Sequence, residues 1–254
     1  MRKPTLIAAA LACMVVGLTI VACGDDDNPE GDANRGLPQT SEPVDLDPAD
    51  FTTDIDNPYW PMSPGSRWVY RETDTKGKKE RVVVTVTDKT KRVANGITAR
   101  VITDVVTENG KPVEITEDWY AQDSDGNVWY LGEAVRNFQG GRFVDREGSF
   151  EAGVDGAQPG IAMPADPEPG LSYRQEYYKG KAEDRGAVVT VGQERVEVPA
   201  GFYNKDVLMT RDIVPLEPKV EELKFYAPGV GPVLSVHTDG AGGRAELVSY
   251  RRGG

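Results

Sequence analysis

The sequence predicts an all-β protein, built as two tandem antiparallel β-meander repeats of about six to seven strands each. Short segments alternate in the period of a strand, as in RVVVTVT at residues 81–87. Asn-Gly, Asp-Gly, Gly-Gly and Pro-Gly steps separate such segments at hairpin spacing. No stretch after residue 22 keeps a helical period beyond a couple of turns. Two arrangements stay open, two packed half-barrels or one wrapped sheet.

Residues 1–22 are predicted to be a lipoprotein signal peptide that lies outside the fold. A short basic start precedes an apolar run from Leu6 to Val21. The run ends in Ile-Val-Ala-Cys, which resembles the bacterial lipobox, so we expect Cys23 to carry a diacylglycerol and an N-acyl chain. The protein is then expected on the extracytoplasmic face of the cell membrane, anchored to it by lipid. A plain secreted protein or an uncleaved anchor is the alternative.

Cysteine usage restricts the chemistry of the mature chain. Cys13 lies inside the apolar run and is removed with it, which leaves Cys23 alone. We therefore expect no disulfide, no thiol catalysis and no thiolate metal site. No cofactor is expected.

Residues 23–56 are predicted to be the lipidated cysteine and an acidic, disordered tether. Residues 24–56 hold eleven acidic residues against Arg35 alone. Their composition, rich in Asp, Gly, Pro, Asn and Ser, buries too little apolar area to order itself. The net charge of −12 therefore belongs mainly to the tether. Nucleic acid is not an expected partner, because no basic stripe is present to neutralise phosphates.

The remaining chain reads as an internal duplication. Residues 57–150 form the first predicted β repeat, residues 151–169 a Gly/Pro-rich connection, and residues 170–254 the second repeat. The block VVTV at 83–86 recurs at 188–191, and further blocks follow in the same order. The alternative is that similar hairpins converge on similar patterns.

The stretch DSDGN at residues 123–127 has two interpretations. Asp123, Asp125 and Asn127 copy the opening of a calcium loop, and they are weak candidates for a metal site. The glycine and glutamate that such a loop needs later are missing, since Val128 and Ala134 occupy those places. An Asp-Gly step suits a tight hairpin, so a hairpin tip is the expected structure.

Glu117, Trp119 and Trp129 are the predicted ligand-binding residues. The alternation of Val113, Ile115, Glu117 and Trp119 predicts that Glu117 lies on the inner, apolar face of its strand. A carboxyl on such a face must be paired, protonated or exposed to a wet cavity. A strand at the rim, or a slip of register, would instead turn Glu117 outward. Asp118 and Glu222 are expected on the solvated face.

His237 offers little catalytic chemistry. It is the one histidine of the chain, near the end of a predicted strand, and no nucleophile elbow accompanies it. A surface or pairing role is expected, and a histidine-based zinc site is excluded by count.

Five segments resemble a family of uncharacterised secreted bacterial lipoproteins. The resemblance implies no known activity and transfers no functional residue. A looser similarity to LolA and LppX-type envelope lipoproteins, which cradle lipids in a curved sheet, is one of fold alone. The five segments are NPYWPMSPGSRWVY (57–70), WYAQDSDGNVWYLGE (119–133), GSFEAGVDGAQPGIAMPAD (148–166), YRQEYYKGKAED (173–184) and EELKFYAPGVGPV (221–233).

The expected function is that of a non-enzymatic binding module for a lipid or another hydrophobic ligand. Two alternatives remain open. One is a structural or interaction module that contacts cell-wall polymer or a protein partner of the envelope. The other is a carboxylate-dependent hydrolase.

Overall fold

The computed structural model describes residues 36–74, 76–218, 220–238 and 243–254, and within these ranges the protein is all-β. A single turn of 3-10 helix, Pro48–Asp50, precedes the first strand. The predicted signal peptide and Cys23 lie outside the described residues. The strands are β1 (Phe51–Thr52), β2 (Arg67–Asp74), β3 (Lys79–Arg92), β4 (Thr98–Glu108), β5 (Lys111–Asp123), β6 (Val128–Gln139), β7 (Arg142–Asp145), β8 (Phe150–Glu151), β9 (Gln158–Met163), β10 (Ser172–Arg174), β11 (Glu176–Tyr177), β12 (Arg185–Val191), β13 (Val196–Val198), β14 (Gly201–Tyr203), β15 (Leu208–Ile213), β16 (Glu221–Ala227), β17 (Gly231–His237) and β18 (Gly243–Arg251).

Thirteen strands form one large, nearly closed, barrel-like sheet. Their order is β10-β12-β15-β16-β17-β18-β2-β3-β4-β5-β6-β9-β11, and neighbours pair antiparallel. The two end strands, β10 and β11, are consecutive in the chain and are separated only by Gln175. Since one extended segment belongs to both ends, the sheet wraps round on itself. Of the two predicted arrangements, the structure has the single wrapped sheet.

The chain enters the sheet in two successive runs. The first run places β2 to β6 side by side and adds β9, and the second runs from β10 and β11 through β12 and β15 to β18. The short strands β13 and β14 form a separate hairpin. The internal duplication stays a prediction, because strand order alone does not show that the two runs share an origin.

Two glycines permit the close approach at the point of closure. A Cβ built on Gly160 of β9 would lie 2.4 Å from the backbone of Gln175. On the other side of the closing segment, a Cβ on Gly186 of β12 would lie 2.5 Å from the ring of Tyr173. Real Cβ atoms do not approach other atoms so closely, so both positions require glycine for steric reasons.

The buried side chain of Arg174 links the segments that meet where the sheet closes. Its side chain is 1% exposed, and its guanidinium donates to the Pro159 carbonyl at 2.9 and 3.0 Å. The same group donates to the carbonyls of Thr40 and Glu42, and its backbone N–H donates to Pro38. Arg174 therefore joins β9, the closing segment and the chain near residue 40.

The outside of the sheet carries much of the apolar packing. Phe51 of β1 packs edge-on against Trp129 of β6, with ring centroids 6.1 Å apart, and β1 pairs with the end of β5. Leu37, Val44 and Leu46 pack against the same core. This corrects the predicted domain boundary, since packing begins by Leu37 and not at residue 57. The acids between these apolar residues remain at the surface, which is why composition alone suggested a tether.

One end of the wrapped sheet is covered by residues 57–66. Trp60 lies against Tyr120 of β5 and Tyr226 of β16, with ring centroids 5.6 and 5.9 Å away. These two strands are not neighbours in the sheet, so Trp60 crosses the interior between them. Met62, which follows it, is 1% exposed. Across the described ranges, no helix is long and apolar enough to cross a membrane.

Arg174→Lys is expected to lower the free energy of unfolding by about 2–3 kcal/mol. A lysine ammonium cannot reach the carbonyls of Pro159, Thr40 and Glu42 together, so buried acceptors lose their donor. Urea unfolding followed by tryptophan fluorescence measures the loss. The matched control is Arg71→Lys, because Arg71 forms an exposed ion pair with Glu246 and its substitution should cost less than about 0.5 kcal/mol. Equal losses in the two variants would contradict the role given to Arg174.

Candidate functional site

The wrapped sheet encloses a cavity of about 360 Å³. Strands from both runs line it, from β2 to β6 and from β15 to β18, together with the closing strand β11. A volume of this size is within the range of small-molecule sites. The interior of the sheet is therefore the candidate functional site.

Aromatic rings form the floor of the cavity, at the end covered by residues 57–66. Tyr120 stacks on Tyr130 of the neighbouring strand, with ring centroids 5.0 Å apart, and Trp60 crosses above them towards Tyr226. The Trp68 indole N–H donates to the Val230 carbonyl at 2.7 Å, which fixes that ring. The rings that line the cavity are Trp60, Trp68, Tyr70, Tyr120, Tyr130 and Tyr226.

Carboxyl groups form the wall. Their position follows from strand alternation, since every second residue of a strand points to the same side of its sheet. In β5, for example, Glu114, Thr116, Asp118 and Tyr120 all line the cavity. The ten acids that line it are Glu72, Asp104, Glu114, Asp118, Glu133, Glu176, Asp184, Asp212, Glu217 and Glu222.

Lys224 is a partly buried cation of this wall. Its ammonium lies 2.5 Å from the Asp212 carboxylate and 3.4 Å from that of Glu222. Burial lowers the pKa of Lys224, but the two carboxylates outweigh burial and hold this pKa well above its usual value. Lys224 is therefore charged and already paired.

Several other wall acids are held towards their protonated forms. Burial, together with the nearby carboxyls of Glu80 and Glu222, raises the pKa of Glu72 to about 8. Burial raises the pKa of Glu114 to about 7. The pKa values of Asp104, Glu133 and Glu176 are also raised well above their usual range, mainly by burial and then by neighbouring carboxyls.

The predicted ligand-binding residues do not line this cavity. Glu117 lies between Thr116 and Asp118, which both face the interior, so its side chain lies on the outer face. Trp119 shares that outer face and is covered by Lys91, whose ammonium is 3.8 Å from the ring centroid. Trp129 packs under Phe51, also outside. The expectation that Glu117 lies on the inner face is therefore wrong.

Asp118 and Glu222, expected on the solvated face, are instead cavity residues. The physical reason is that the apolar side of β5 faces an outer layer of chain, while its polar side faces the wet interior. His237 also lines the cavity, with its Nε2 atom 4.0 Å from Glu222. The sequence did contain a pattern that indicates this inner face. Glu114, Thr116, Asp118 and Tyr120 occupy every second position, as regularly as the apolar residues of the same strand.

The DSDGN stretch is a hairpin tip, as predicted. The Asp123 N–H donates to the Asn127 carbonyl, and Gly126 adopts a φ of +96°. The Asp123 carboxylate accepts from the backbone N–H groups of Asp125 and Asn127 and from the indole N–H of Trp129 at 2.7 Å. Within the described ranges, no group of three or more His, Cys, Asp or Glu residues is placed to hold a metal ion.

Glu72→Gln is expected to flatten the dependence of stability on pH. The folded state holds a proton on Glu72 up to about pH 8, whereas the unfolded chain releases it near the usual value of 4.5. The free energy of unfolding therefore falls as pH rises between these values. At pH 8.5 the variant should be more stable than the wild type by about 2 kcal/mol.

Denaturant unfolding at pH 5, 7 and 8.5 measures this effect. Glu197→Gln is the control, because Glu197 is exposed on β13 and its substitution should leave the slope unchanged. A wild-type stability that rises from pH 5 to pH 8.5 would contradict the prediction.

Comparisons with known proteins add a fold neighbour. No protein-family model and no curated protein matches the chain. Among solved structures, the chain is similar to "a putative lipoprotein from Parabacteroides distasonis ATCC 8503", which has a similar all-β fold. The identity is 14% and the TM-score 0.40, over 76% of this chain and 98% of that one. A similarity of this strength carries no argument about function. The resemblance to a lipoprotein family, and the analogy with LolA and LppX, stay predictions.

Proposed function

We propose that this protein is a non-enzymatic, lipid-anchored binding protein that holds one small molecule inside its wrapped sheet. The observation that carries the proposal is the cavity of about 360 Å³. Its floor offers aromatic surface to an apolar portion of the ligand, and its wall offers carboxyl groups to a polar portion. Proteins that need an interior only for stability fill it with side chains at high packing density.

The open end of the cavity lies opposite the aromatic floor. Residues near strand ends, such as Val214 after β15 and His237 at the end of β17, line it there. A ligand can therefore enter past the carboxyl wall and reach the rings. An interaction module built on flat outer surfaces would not need this interior.

Binding is favoured over hydrolysis by the distribution of the acids. Hydrolysis by carboxyls uses one pair that flanks the scissile bond. Here the acids are spread over β2, β4, β5, β6, β11, β15 and β16, around the whole wall. Acids distributed in this way can interact with a ligand from several sides, and no two of them stand out as a catalytic pair.

Filling the mouth tests the proposal. Ala245 lines the cavity on β18, in register with Glu72, so Ala245→Trp should block the interior without removing a polar group. Native mass spectrometry of protein purified from its host should show a co-purified molecule at one per chain, and this variant should lose it.

The matched control is Val248→Trp on the same strand, because Val248 is 39% exposed on the outside. The control should keep the co-purified molecule. If the wild-type protein carries no molecule under native conditions, or if Ala245→Trp retains it fully, the proposed function is wrong.

The anchor has its own test. Cells grown with an alkyne analogue of palmitate should label the wild-type protein, and Cys23→Ala should abolish the label because its thiol is the proposed attachment point. Cys13→Ala is the control, since Cys13 lies in the segment predicted to be removed. Labelling of the Cys23→Ala variant at the wild-type level would overturn the assignment.

A further inference from the structure

The interior of the sheet holds many more acidic than basic groups. Ten carboxyl groups line the cavity, against two lysines and one histidine, Lys181, Lys224 and His237. Neither lysine is free to neutralise the wall. Lys224 is paired with Asp212 and Glu222, and Lys181 is exposed, with its ammonium 3.0 Å from the Tyr178 hydroxyl and 4.3 Å from the centroid of that ring.

Most of the wall acids therefore have no cation of their own. Over residues 36–74, 76–218, 220–238 and 243–254, no lysine, arginine or histidine forms an ion pair with seven of them. These seven are Glu72, Asp104, Glu114, Asp118, Glu133, Glu176 and Asp184.

The sheet register places acids directly opposite one another on the inner face. Asp118 of β5 lies opposite Glu133 of β6, and Glu72 of β2 lies opposite Glu80 of β3. When both are ionised, facing carboxylates destabilise a pair of strands. A cation placed between Asp118 and Glu133 would favour their ionised forms and convert this repulsion into attraction.

Glu133 gives the second, independent indication of a ligand. It is 5% exposed and lines the cavity, yet its Oε1 atom has no hydrogen-bond partner. Glu176, at 2% exposure, lines the same cavity, and the side-chain partner of its carboxyl is another carboxyl, that of Asp184. Buried polar atoms are nearly always paired in native proteins, so the Glu133 oxygen lacks the partner that a ligand could supply. Both belong to the same region, since Asp118 and Glu176 each raise the pKa of Glu133.

The aromatic rings on the floor of the cavity also favour a cationic ligand. Trp60, Tyr120 and Tyr226 line the same cavity as the carboxyl groups. Aromatic faces attract organic cations through their quadrupole, and they also accept flat apolar groups. A neutral lipid chain would gain from the rings but would leave the carboxyl wall without partners.

We infer that the ligand is an organic cation, a small amine with an aromatic or apolar body, whose ammonium group lies among Asp118, Glu133 and Glu176. The inference rests on the proposed binding function and specifies the ligand of that same cavity. The body of the ligand lies on Trp60 and Tyr120. The ammonium donates to the unpartnered Oε1 atom of Glu133 and to the carboxyl of Glu176.

Three small molecules that share an indole ring but differ in charge distinguish the effect of ligand charge from that of ligand shape. Tryptamine is cationic, 2-(indol-3-yl)ethanol is neutral, and indole-3-acetate is anionic at pH 7.5. Isothermal titration calorimetry of the unliganded full-length protein should show tryptamine binding at least tenfold more tightly than the alcohol. Indole-3-acetate should bind more weakly than either.

The matched pair of variants is Asp118→Asn and Glu117→Gln. The two residues are adjacent on β5, but only Asp118 faces the cavity. Asp118→Asn should weaken tryptamine at least fivefold and leave the alcohol unchanged, while Glu117→Gln should alter neither affinity. Tryptamine should also bind more tightly at pH 8 than at pH 6, since the wall ionises as pH rises.

The outcomes separate this inference from the proposed function. Equal affinities for tryptamine and the alcohol, or a preference for indole-3-acetate, would overturn the cationic ligand and leave a binding protein. If none of the three binds, the molecule identified by native mass spectrometry decides: an amine supports the inference, and a neutral or anionic molecule overturns it. If that experiment recovers no molecule from the wild type, the binding function fails and the inference fails with it.

Discussion

The closure of the sheet at residues 172–177 is the constraint on which the other features depend. One extended segment pairs with β12 on one side and with β9 on the other, and Arg174 holds it with donors that reach three separate carbonyls. Gly160 lets the backbones approach at the seam. Without closure the inner face would be one side of an open sheet, the carboxyl wall would be solvated, and no enclosed volume would remain.

Because the sheet is closed, its outer face and its inner face have different roles. Its outer face is packed, with Phe51 on Trp129 and with Trp119 under Lys91, and so contributes apolar burial that supports the fold. Its inner face combines aromatic rings with carboxyl groups that weaken the fold, such as the facing acids Asp118 and Glu133. Apolar burial on the outer face offsets part of the cost of placing these carboxyl groups inside.

The sequence predicted the fold class well because alternation and Asp-Gly turns are local properties. It could not decide which face of β5 points inward, because alternation defines two faces and does not say where the chain places the core. The apolar face was taken as the inner one, an assumption that fails when the interior is a wet cavity and the outside is covered. The covering chain was itself hidden, since exposed acids, Asp45 and Asp47, stand on either side of Leu46. The closure at Arg174 depends on contacts with residues about 130 positions away, such as Glu42, which no local pattern reveals.

Because residues 37–56 pack against the sheet, only a short stretch of chain could link a lipid on Cys23 to the body of the protein. If Cys23 carries lipid, only about a dozen residues separate it from Leu37, which packs against the core. A polypeptide of that length spans at most about 45 Å even when fully extended. A lipid on Cys23 would thereby keep the cavity close to the bilayer, where it would encounter molecules that concentrate at the lipid surface.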